Sequence, residues 1–358
     1  NFFDVFWLKN NLTVHISSTV NSVIIGEGIS MASTVILAFN KFLANDVNLS
    51  STQSSSARNS RDWLIGQINN FSSFFPLYTS QHINFGSFAR RTKIPPLNDI
   101  DIMISMMAVG CTYVEDNGTV YITVMDNCST YSNYKHDGYS FLNSRKIVNK
   151  FVSKLGDVSQ YSKSETKRNQ EAATLNLNTY DWVFDIVPCF FTTEDIYGKT
   201  YYIIPDGNGH WKKTDPRIDR QRVTKINTRL GGNVLNVIRI MKYWHSRPTM
   251  PQMGSYLLES IILNYYESKA TCSEFVDMEI PSLLSYISSS IYLPVQDPKG
   301  IQGDINNLSS EQKYKISIKA TSDCKTSVEA REAESNGEHR KSINKWRSIF
   351  GNNFPEYS

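Results

Sequence analysis

The sequence has few cysteines, no excess of charge of one sign and no long apolar run. Its five cysteines are scattered and never form a C-x-x-C pair, so neither a disulfide framework nor a cysteine-rich zinc site is predicted. Lys and Arg number 37 against 34 Asp and Glu, which confines any polyanion site to a local cluster. No run reaches the roughly 18 apolar residues that span a bilayer, and Asp4 interrupts the apolar N-terminal stretch, which lacks a cleavage pattern. We therefore expect a soluble, cytoplasmic protein that does not cross or bind a membrane.

The chain has 358 residues, of which 40% are hydrophobic, enough to bury the core of one large domain or of two fused smaller ones. Apolar residues at helical spacing over residues 20–43 predict a long helix, and the serine-rich residues 48–60 predict a loop. Short β-rich runs between residues 83 and 191 predict a mixed sheet.

The remaining part of the chain is mainly helical in its pattern. Asp-Gly, Asn-Gly and Pro signals over residues 203–216 predict tight turns rather than regular structure. Four segments with apolar residues at helical spacing follow, at residues 230–244, 255–266, 278–291 and 309–333. Residues 345–351 are typical of a docked C-terminal segment.

A Gly-Ser turn follows the strand-like residues 82–85. Gly86 lets the backbone approach a phosphate, and Ser87 adds a hydroxyl and free N–H donors at the start of the next helix. Taken alone, this pair is more typical of a plain turn than of a phosphate site.

Two aspartates stand two residues apart in a strand-like run. Asp99 and Asp101 alternate with Ile100, Ile102 and Ile104, so strand geometry puts the carboxylates on one face and the isoleucines on the other. Two carboxylates at one spot suit a hard divalent cation such as Mg²⁺. The alternative is an edge strand with a solvated acidic face.

A third aspartate decides between these interpretations. Asp185 shares a face with Val183 and Val187 in a run that otherwise has the pattern of a strand buried on both sides. An unpaired buried carboxylate is unfavourable, and protonation or a metal ion usually relieves it. Asp99, Asp101 and Asp185 on neighbouring strands beside the Gly-Ser turn therefore predict a two-metal site for nucleotidyl transfer.

These residues resemble the signature of a known superfamily. Gly86-Ser87, then Asp99-x-Asp101, then Asp185 on a later strand looks like the polymerase-β-like nucleotidyltransferases. The strings at residues 85–101, 205–211, 214–216 and 297–300 are similar to its bacterial second-messenger branch, the cGAS/DncV-like enzymes or CD-NTases. The resemblance covers most of the chain, from about residue 60 to residue 354.

The resemblance implies an α+β fold with two lobes. A polymerase-β-like nucleotidyltransferase core, built on a mixed twisted sheet with flanking helices, would be joined to a C-terminal helical lobe by a long N-terminal spine helix. On this basis we assign residues 1–225 to the core lobe with its spine helix and residues 226–358 to the helical lobe. The nucleotides would lie between the two lobes.

The resemblance also implies nucleotide-binding residues. In the family, a helix lysine and a Ser-Tyr pair of the helical lobe meet the donor nucleotide, and Lys242, Ser255 and Tyr256 occupy matching positions. A cation balances the charge of a triphosphate, and an aromatic ring can stack on a base. Without the resemblance, Lys242 would be interpreted as a solvated helix residue and Tyr256 as a core aromatic.

Four residues near these motifs have two interpretations each. Arg90 and Arg91 are either phosphate clamps or solvent-facing residues of the first helical turns. Trp211 and His210 are either a packed tryptophan beside a polar histidine, which the pattern favours, or part of the lining of the nucleotide cleft.

The function implied by the resemblance is template-independent synthesis of a cyclic di- or trinucleotide from nucleoside triphosphates, with release of pyrophosphate. The three aspartates would hold two Mg²⁺ ions, or Mn²⁺ in their place. In the family, such products signal in defence against phage, so regulatory or effector proteins encoded alongside are expected partners. The zinc insertion and dense basic stripe of the animal DNA sensors are missing, and duplex DNA is not an expected partner.

Two alternatives stay open. One is a nucleotidyltransferase whose acceptor is an RNA 3′ end, a small molecule or a protein. The other is a catalytically inactive relative that only binds nucleotides or a partner, and the intact set of three aspartates speaks against it. The sequence does not fix base choice, linkage or ring size, because these depend on placement at the ångström scale.

Overall fold

The computed structural model describes residues 31–158, 164–177 and 180–358, in which a large mixed sheet precedes a group of packed helices. The strands are β1 (Met31–Ala32), β2 (Ile83–Phe85), β3 (Asp99–Met106), β4 (Cys111–Asp116), β5 (Thr119–Val124), β6 (Glu165–Asn169), β7 (Ala172–Asn176), β8 (Val183–Phe191), β9 (Tyr202–Pro205), β10 (Trp211–Thr214) and β11 (Glu356–Tyr357). The α-helices are α1 (Val35–Phe42), α2 (Ser51–Asn69), α3 (Gly86–Ala89), α4 (Ser144–Gly156), α5 (Pro216–Arg229), α6 (Val234–His245), α7 (Ser255–Glu267), α8 (Val276–Ser290), α9 (Ser310–Ser335) and α10 (His339–Phe350).

The sheet is organised around the central pair β3 and β8. Its main path is β2-β3-β8-β9-β10-β5-β4, and β7, which carries β6, pairs with the first half of β8. Strands β3 and β8 are parallel over their common length, whereas β2 and β3 are antiparallel. Strands β3 and β8 therefore both begin at the same edge of the sheet, next to the last residue of β2.

Two separate hydrophobic cores support the two halves of the molecule. The first covers one face of the sheet with residues from α2, α4 and the β-strands, among them Ile100, Ile102 and Phe184. The second fills the helical part and also includes residues of α1, such as Phe39 and Phe42. Helix α1 thus shares its core with the C-terminal helices rather than with the sheet.

The predicted α+β class is confirmed, and α6 to α9 lie close to the four predicted helical segments. The division at residues 225 and 226 stays a prediction. In the structure these residues lie within α5, whose Val223 and Ile226 belong to the helical core. No helix in the part of the chain that the structure describes is long and apolar enough to cross a membrane.

The predicted loop at residues 48–60 is wrong, because helix α2 begins there. Ser50 caps the helix by accepting a hydrogen bond from the backbone N–H of Gln53 at 3.0 Å. Only Ala57, Leu64 and Ile68 of α2 are buried. Serine is a weak but tolerated helix former. Because only three residues of α2 are buried, the helical spacing of apolar residues is hard to recognise in this serine-rich segment.

Two other predictions need correction. The predicted helix at residues 20–43 lies partly outside the described residues, and within them α1 begins only at Val35, after Thr34 caps it. The turn signals over residues 203–216 mark a hairpin, because β9 and β10 pair in antiparallel fashion on either side of residues 206–210. Turn residues identify where the chain reverses but do not show how far the flanking strands extend.

Substituting Trp346 by Ala should destabilise the helical part by about 3–5 kcal/mol, because Trp346 is fully buried and packs edge-on against Phe39 at 5.0 Å. Replacing Tyr139, which is 67% exposed, should change stability by less than about 0.5 kcal/mol. Urea unfolding of both variants tests this, and a small effect at Trp346 would contradict the packing described.

Candidate active site

The three predicted aspartates meet at one edge of the sheet. Asp101 on β3 lies directly opposite Asp185 on β8, and Asp99 lies opposite Val183. Since residues two apart share a strand face, all three carboxylates lie on the same face, and Ile100 on the opposite face enters the core. The structure thus places the three predicted aspartates at one edge and on one face of the sheet.

The Gly-Ser turn packs against this carboxylate group. Phe85, the last residue of β2, pairs with Asp101, and the chain then turns through Gly86 with φ +72° into the short helix α3. A side chain at Gly86 would overlap with the carboxylate of Asp101. Only glycine allows the backbone to pass this close to Asp101.

The electrostatics of the site favour a cation. Burial and the negative charges of Asp99 and Asp185 raise the pKa of Asp101 to about 7. Burial and Asp99 also raise the pKa of Asp185, although a 2.7 Å hydrogen bond from the hydroxyl of Thr174 partly offsets the shift. Three carboxylates crowded in this way repel one another unless positive charge is present between them.

Lys93 supplies positive charge to one member of the group. Its ammonium forms an ion pair with Asp99 and donates a hydrogen bond to the side-chain oxygen of Asn98. No three His, Cys, Asp or Glu side chains in the described ranges are arranged as a ready-made metal cage. The three aspartates nevertheless offer what a hard divalent ion prefers, because their carboxylate oxygens lie on one face of neighbouring strands and carry negative charge that Lys93 only partly balances.

Two of the predicted helical-lobe residues, Lys242 of α6 and Tyr256 of α7, contact the chain just after the Gly-Ser turn. Ser255 is exposed at the first position of α7, and Tyr256 beside it is half-buried. The guanidinium carbon of Arg90 lies 5.6 Å from the centroid of the Tyr256 ring. Because Arg90 directly follows α3, this contact brings the Gly-Ser turn and the start of α7 together.

Lys242 is buried rather than solvated. It is 6% exposed, and its ammonium donates to Glu259 at 2.9 Å and to the backbone oxygen of Thr92 at 3.1 Å. The structure also separates the two arginines, since Arg90 is bound to Glu259 at 2.7 Å while Arg91 is exposed.

Glu259 was not identified from the sequence, although a signal for it exists. It is a carboxylate in the middle of the apolar α7, where Leu258 and Ile262 are buried on either side of it. A charged residue within such a run requires partners, and here Arg90 and Lys242 provide them.

A second polar cluster that the sequence did not reveal holds the ring of Tyr256. The Tyr256 hydroxyl donates to Asp219 at 2.6 Å and accepts from the ammonium of Lys299 at 2.7 Å, and Lys299 also pairs with Asp297 at 2.7 Å. Burial and the hydrogen bond to Asp219 raise the pKa of the Tyr256 phenol. The string at residues 297–300 thus contacts the site through Lys299.

Trp211 and His210 follow the interpretation that the sequence favoured. Trp211 is fully buried in the sheet core and donates from Nε1 to the backbone oxygen of Leu142 at 3.0 Å. His210 stacks on His136 with ring centroids 4.8 Å apart. All five cysteines are free, as expected.

Known proteins are similar to this chain in sequence. The family of the Second Messenger Oligonucleotide or Dinucleotide Synthetase domain (SMODS) matches residues 34–227. A relative from Bacillus cereus (strain VD146), described as a probable cyclic nucleotide synthase, is 44% identical over 333 residues. The match covers 91% of this chain and 99% of the relative.

Solved structures share the fold. Escherichia coli MS115-1 CdnC in complex with HORMA-deltaN superposes with a TM-score of 0.66 and 15% identity, over 89% of this chain and 97% of CdnC. CdnC with ATP gives a TM-score of 0.65 at 15% identity, over 89% and 98% of the two chains. The 3′-deoxy GTP bound form of Escherichia coli DncV gives 0.59 at 12% identity, over 87% and 96%. These likenesses confirm the predicted polymerase-β-like fold.

Substituting Gly86 by Ala should reduce product formation by about 100-fold, because the new methyl group displaces the Asp101 carboxylate. Gly118 is the matched control: it also has a positive φ, +79°, but a Cβ there meets no atom within 4 Å. Gly118→Ala should lose about 1–2 kcal/mol of stability and keep its activity. Equal loss of activity in both variants would contradict a specific contact between Gly86 and Asp101.

Proposed function

Since the chain belongs to the family of second messenger oligonucleotide or dinucleotide synthetases, we propose that Asp99, Asp101 and Asp185 carry its reaction. The chain is a nucleotidyltransferase that makes a cyclic oligonucleotide. The observation that supports this assignment most strongly is the register of β3 and β8, which sets Asp101 opposite Asp185.

The reaction is attack of a ribose hydroxyl of one nucleotide on the α-phosphate of a second nucleoside triphosphate. A phosphodiester bond forms, the bond to the leaving pyrophosphate breaks, and the proton of the hydroxyl is released. Repeating the step and then closing the ring at the same site gives a cyclic di- or trinucleotide.

Metal ions belong to this proposal, because the family is metal-dependent and the carboxylates need positive charge between them. Asp99, Asp101 and Asp185 would hold two Mg²⁺ ions, with Mn²⁺ as a substitute. When bound, such ions lower the pKa of the attacking hydroxyl and neutralise charge that develops on the α-phosphate. The role of Thr174 is to orient the Asp185 carboxylate through its 2.7 Å hydrogen bond.

The nucleotide-binding residues are assigned from their positions around this group. Gly86 and Ser87 would contact the phosphates next to Asp101, and Ser255 and Tyr256 would approach the donor nucleotide from α7. Nucleoside triphosphate substrates are supported by the structural neighbours, since CdnC was solved with ATP and DncV with 3′-deoxy GTP. Lys242, which the family resemblance assigns to the donor nucleotide, lies in the buried cluster with Glu259 and supports the site from there.

We further propose that the product is an alarm signal in cytoplasmic defence against phage. A regulatory partner is supported by the CdnC neighbour, which was solved with a HORMA-domain protein. The enzyme would then be silent until a partner or another cue activates it, and the proteins encoded beside it are the first candidates.

Asp101→Asn and Asp185→Asn should each lower product formation by about 10³-fold or more, because each removes a carboxylate that holds the ions. Asp101→Asn should melt no lower than the unmodified chain, since it relieves repulsion from Asp99 and Asp185. Asp181→Asn, an exposed acid four residues before Asp185, is the control and should be fully active.

The product assay uses all four labelled nucleoside triphosphates with Mg²⁺, with and without the proteins encoded beside this one, followed by phosphatase and mass spectrometry. Phosphatase-resistant cyclic products with release of pyrophosphate are the expected result. Labelled polymer or labelled protein would show another acceptor instead, and full activity of Asp101→Asn would overturn the catalytic assignment.

A further inference from the structure

A single buried carboxylate joins the two halves of the molecule next to the candidate active site. Glu259 is 1% exposed and lies on α7, in the helical half. Its oxygens accept hydrogen bonds from Arg90 at 2.7 Å and from the hydroxyl of Thr92 at 2.8 Å, both just after α3 in the sheet half. Lys242 on α6 completes the cluster at 2.9 Å.

The neighbouring charges keep Glu259 ionised. Burial alone disfavours an ionised Glu259, but the charges and hydrogen bonds of Arg90 and Lys242 outweigh it and hold the pKa of Glu259 at about 2. The carboxylate is therefore an anion at any physiological pH. Two cations around one anion leave one net positive charge in the cluster, beside the turn at Gly86 and Ser87.

The two cations differ in what they can still bind. The Lys242 ammonium is used by Glu259 and by the backbone oxygen and hydroxyl of Thr92. Arg90 gives only Nε and Nη2 to Glu259, and in the described part of the chain its Nη1 donates to no protein acceptor. A guanidinium has five N–H donors in a fixed fork, so part of Arg90 is free while the rest is fixed.

The free part of Arg90 lies where a nucleotide is expected. The guanidinium carbon is 5.6 Å from the centroid of the Tyr256 ring, and Arg90 follows the Gly-Ser turn by three residues. Arg90 therefore lies between Gly86 and Ser87, which are assigned to the phosphates, and the ring of Tyr256, which is assigned to the donor nucleotide.

We propose that Glu259 is a positioning residue for nucleotidyl transfer, which holds Arg90 so that its free donors meet the triphosphate of the donor nucleotide. The inference rests on the proposed function for the identity of that anion. In this proposal the excess positive charge of the cluster belongs to Arg90. Lys242 only neutralises the buried Glu259 carboxylate.

The first test is Glu259→Asp, which keeps the charge but withdraws the carboxylate by one methylene group. We expect kcat/KM for the nucleoside triphosphates to fall by about 100-fold, with most of the change in KM. The affinity for inorganic triphosphate with Mg²⁺, measured by calorimetry, should fall in parallel. Unchanged KM and unchanged triphosphate affinity would overturn the proposal.

The matched control is Asp323→Glu in the helical half. Asp323 is also a buried carboxylate, 3% exposed, and it pairs with two cations, Arg247 at 3.2 Å and Lys319 at 2.6 Å. Its substitution should lower Tm but leave KM unchanged. A rise in KM as large as that of Glu259→Asp would show a general packing effect and would refute a specific role for Glu259.

A double-mutant cycle identifies the residue through which Glu259 acts. In an Arg90→Ala background, Glu259→Asp should weaken triphosphate binding no further, because the group that it positions is gone. Additive losses would show that Glu259 does not act through Arg90. Triphosphate affinity is independent of product formation, so these binding results stand even where the unmodified chain makes no cyclic product, an outcome that would count against the proposed function alone.

Discussion

The repulsion among three carboxylates at one edge of the sheet is the constraint around which this molecule is built. Parallel pairing of β3 and β8 fixes Asp101 opposite Asp185, and the isoleucines and Phe184 on the opposite face anchor both strands in the core. The strands cannot slip by one residue without exposing that whole set. Hydrophobic burial therefore holds like charges together, and burial and the neighbouring carboxylates raise the pKa of Asp101 and Asp185.

The second element of the design is the contact between the two cores. The sheet and the helices bury separate sets of apolar residues, and the turn after α3 bridges them through polar groups. Glu259 and Lys242 bind Arg90 and Thr92, and Arg239 of α6 donates to the backbone oxygen of Arg91 at 2.7 Å. Hydrogen bonds and ion pairs are directional, so these contacts fix the orientation of the carboxylates relative to Tyr256 more narrowly than apolar packing would. Breaking these contacts would leave buried charges without partners.

Local pattern was sufficient where a residue's neighbours in the chain decide its environment. The alternation of Asp99 and Asp101 with isoleucines gave the correct strand face, and the apolar run around Asp185 gave the correct buried strand. Local pattern failed at residues 48–60, where the serines of α2 are exposed or half-buried and only three residues of the helix are buried. The signals at residues 203–216 were interpreted as turns alone, because turn residues mark where the chain reverses but not how far β9 and β10 extend on either side.

Residue type and spacing along the strands were enough to identify the three carboxylates and the glycine beside them, and the family resemblance identified the class of reaction. The partners of the nearby cations became visible only in the folded structure. Lys242 and Arg90 have similar charge in the sequence, yet Glu259, which is 17 residues from one and 169 from the other, binds both and leaves donors free on Arg90 alone. Which charged residues form ion pairs depends on their distance in space. Their positions along the chain do not specify that distance.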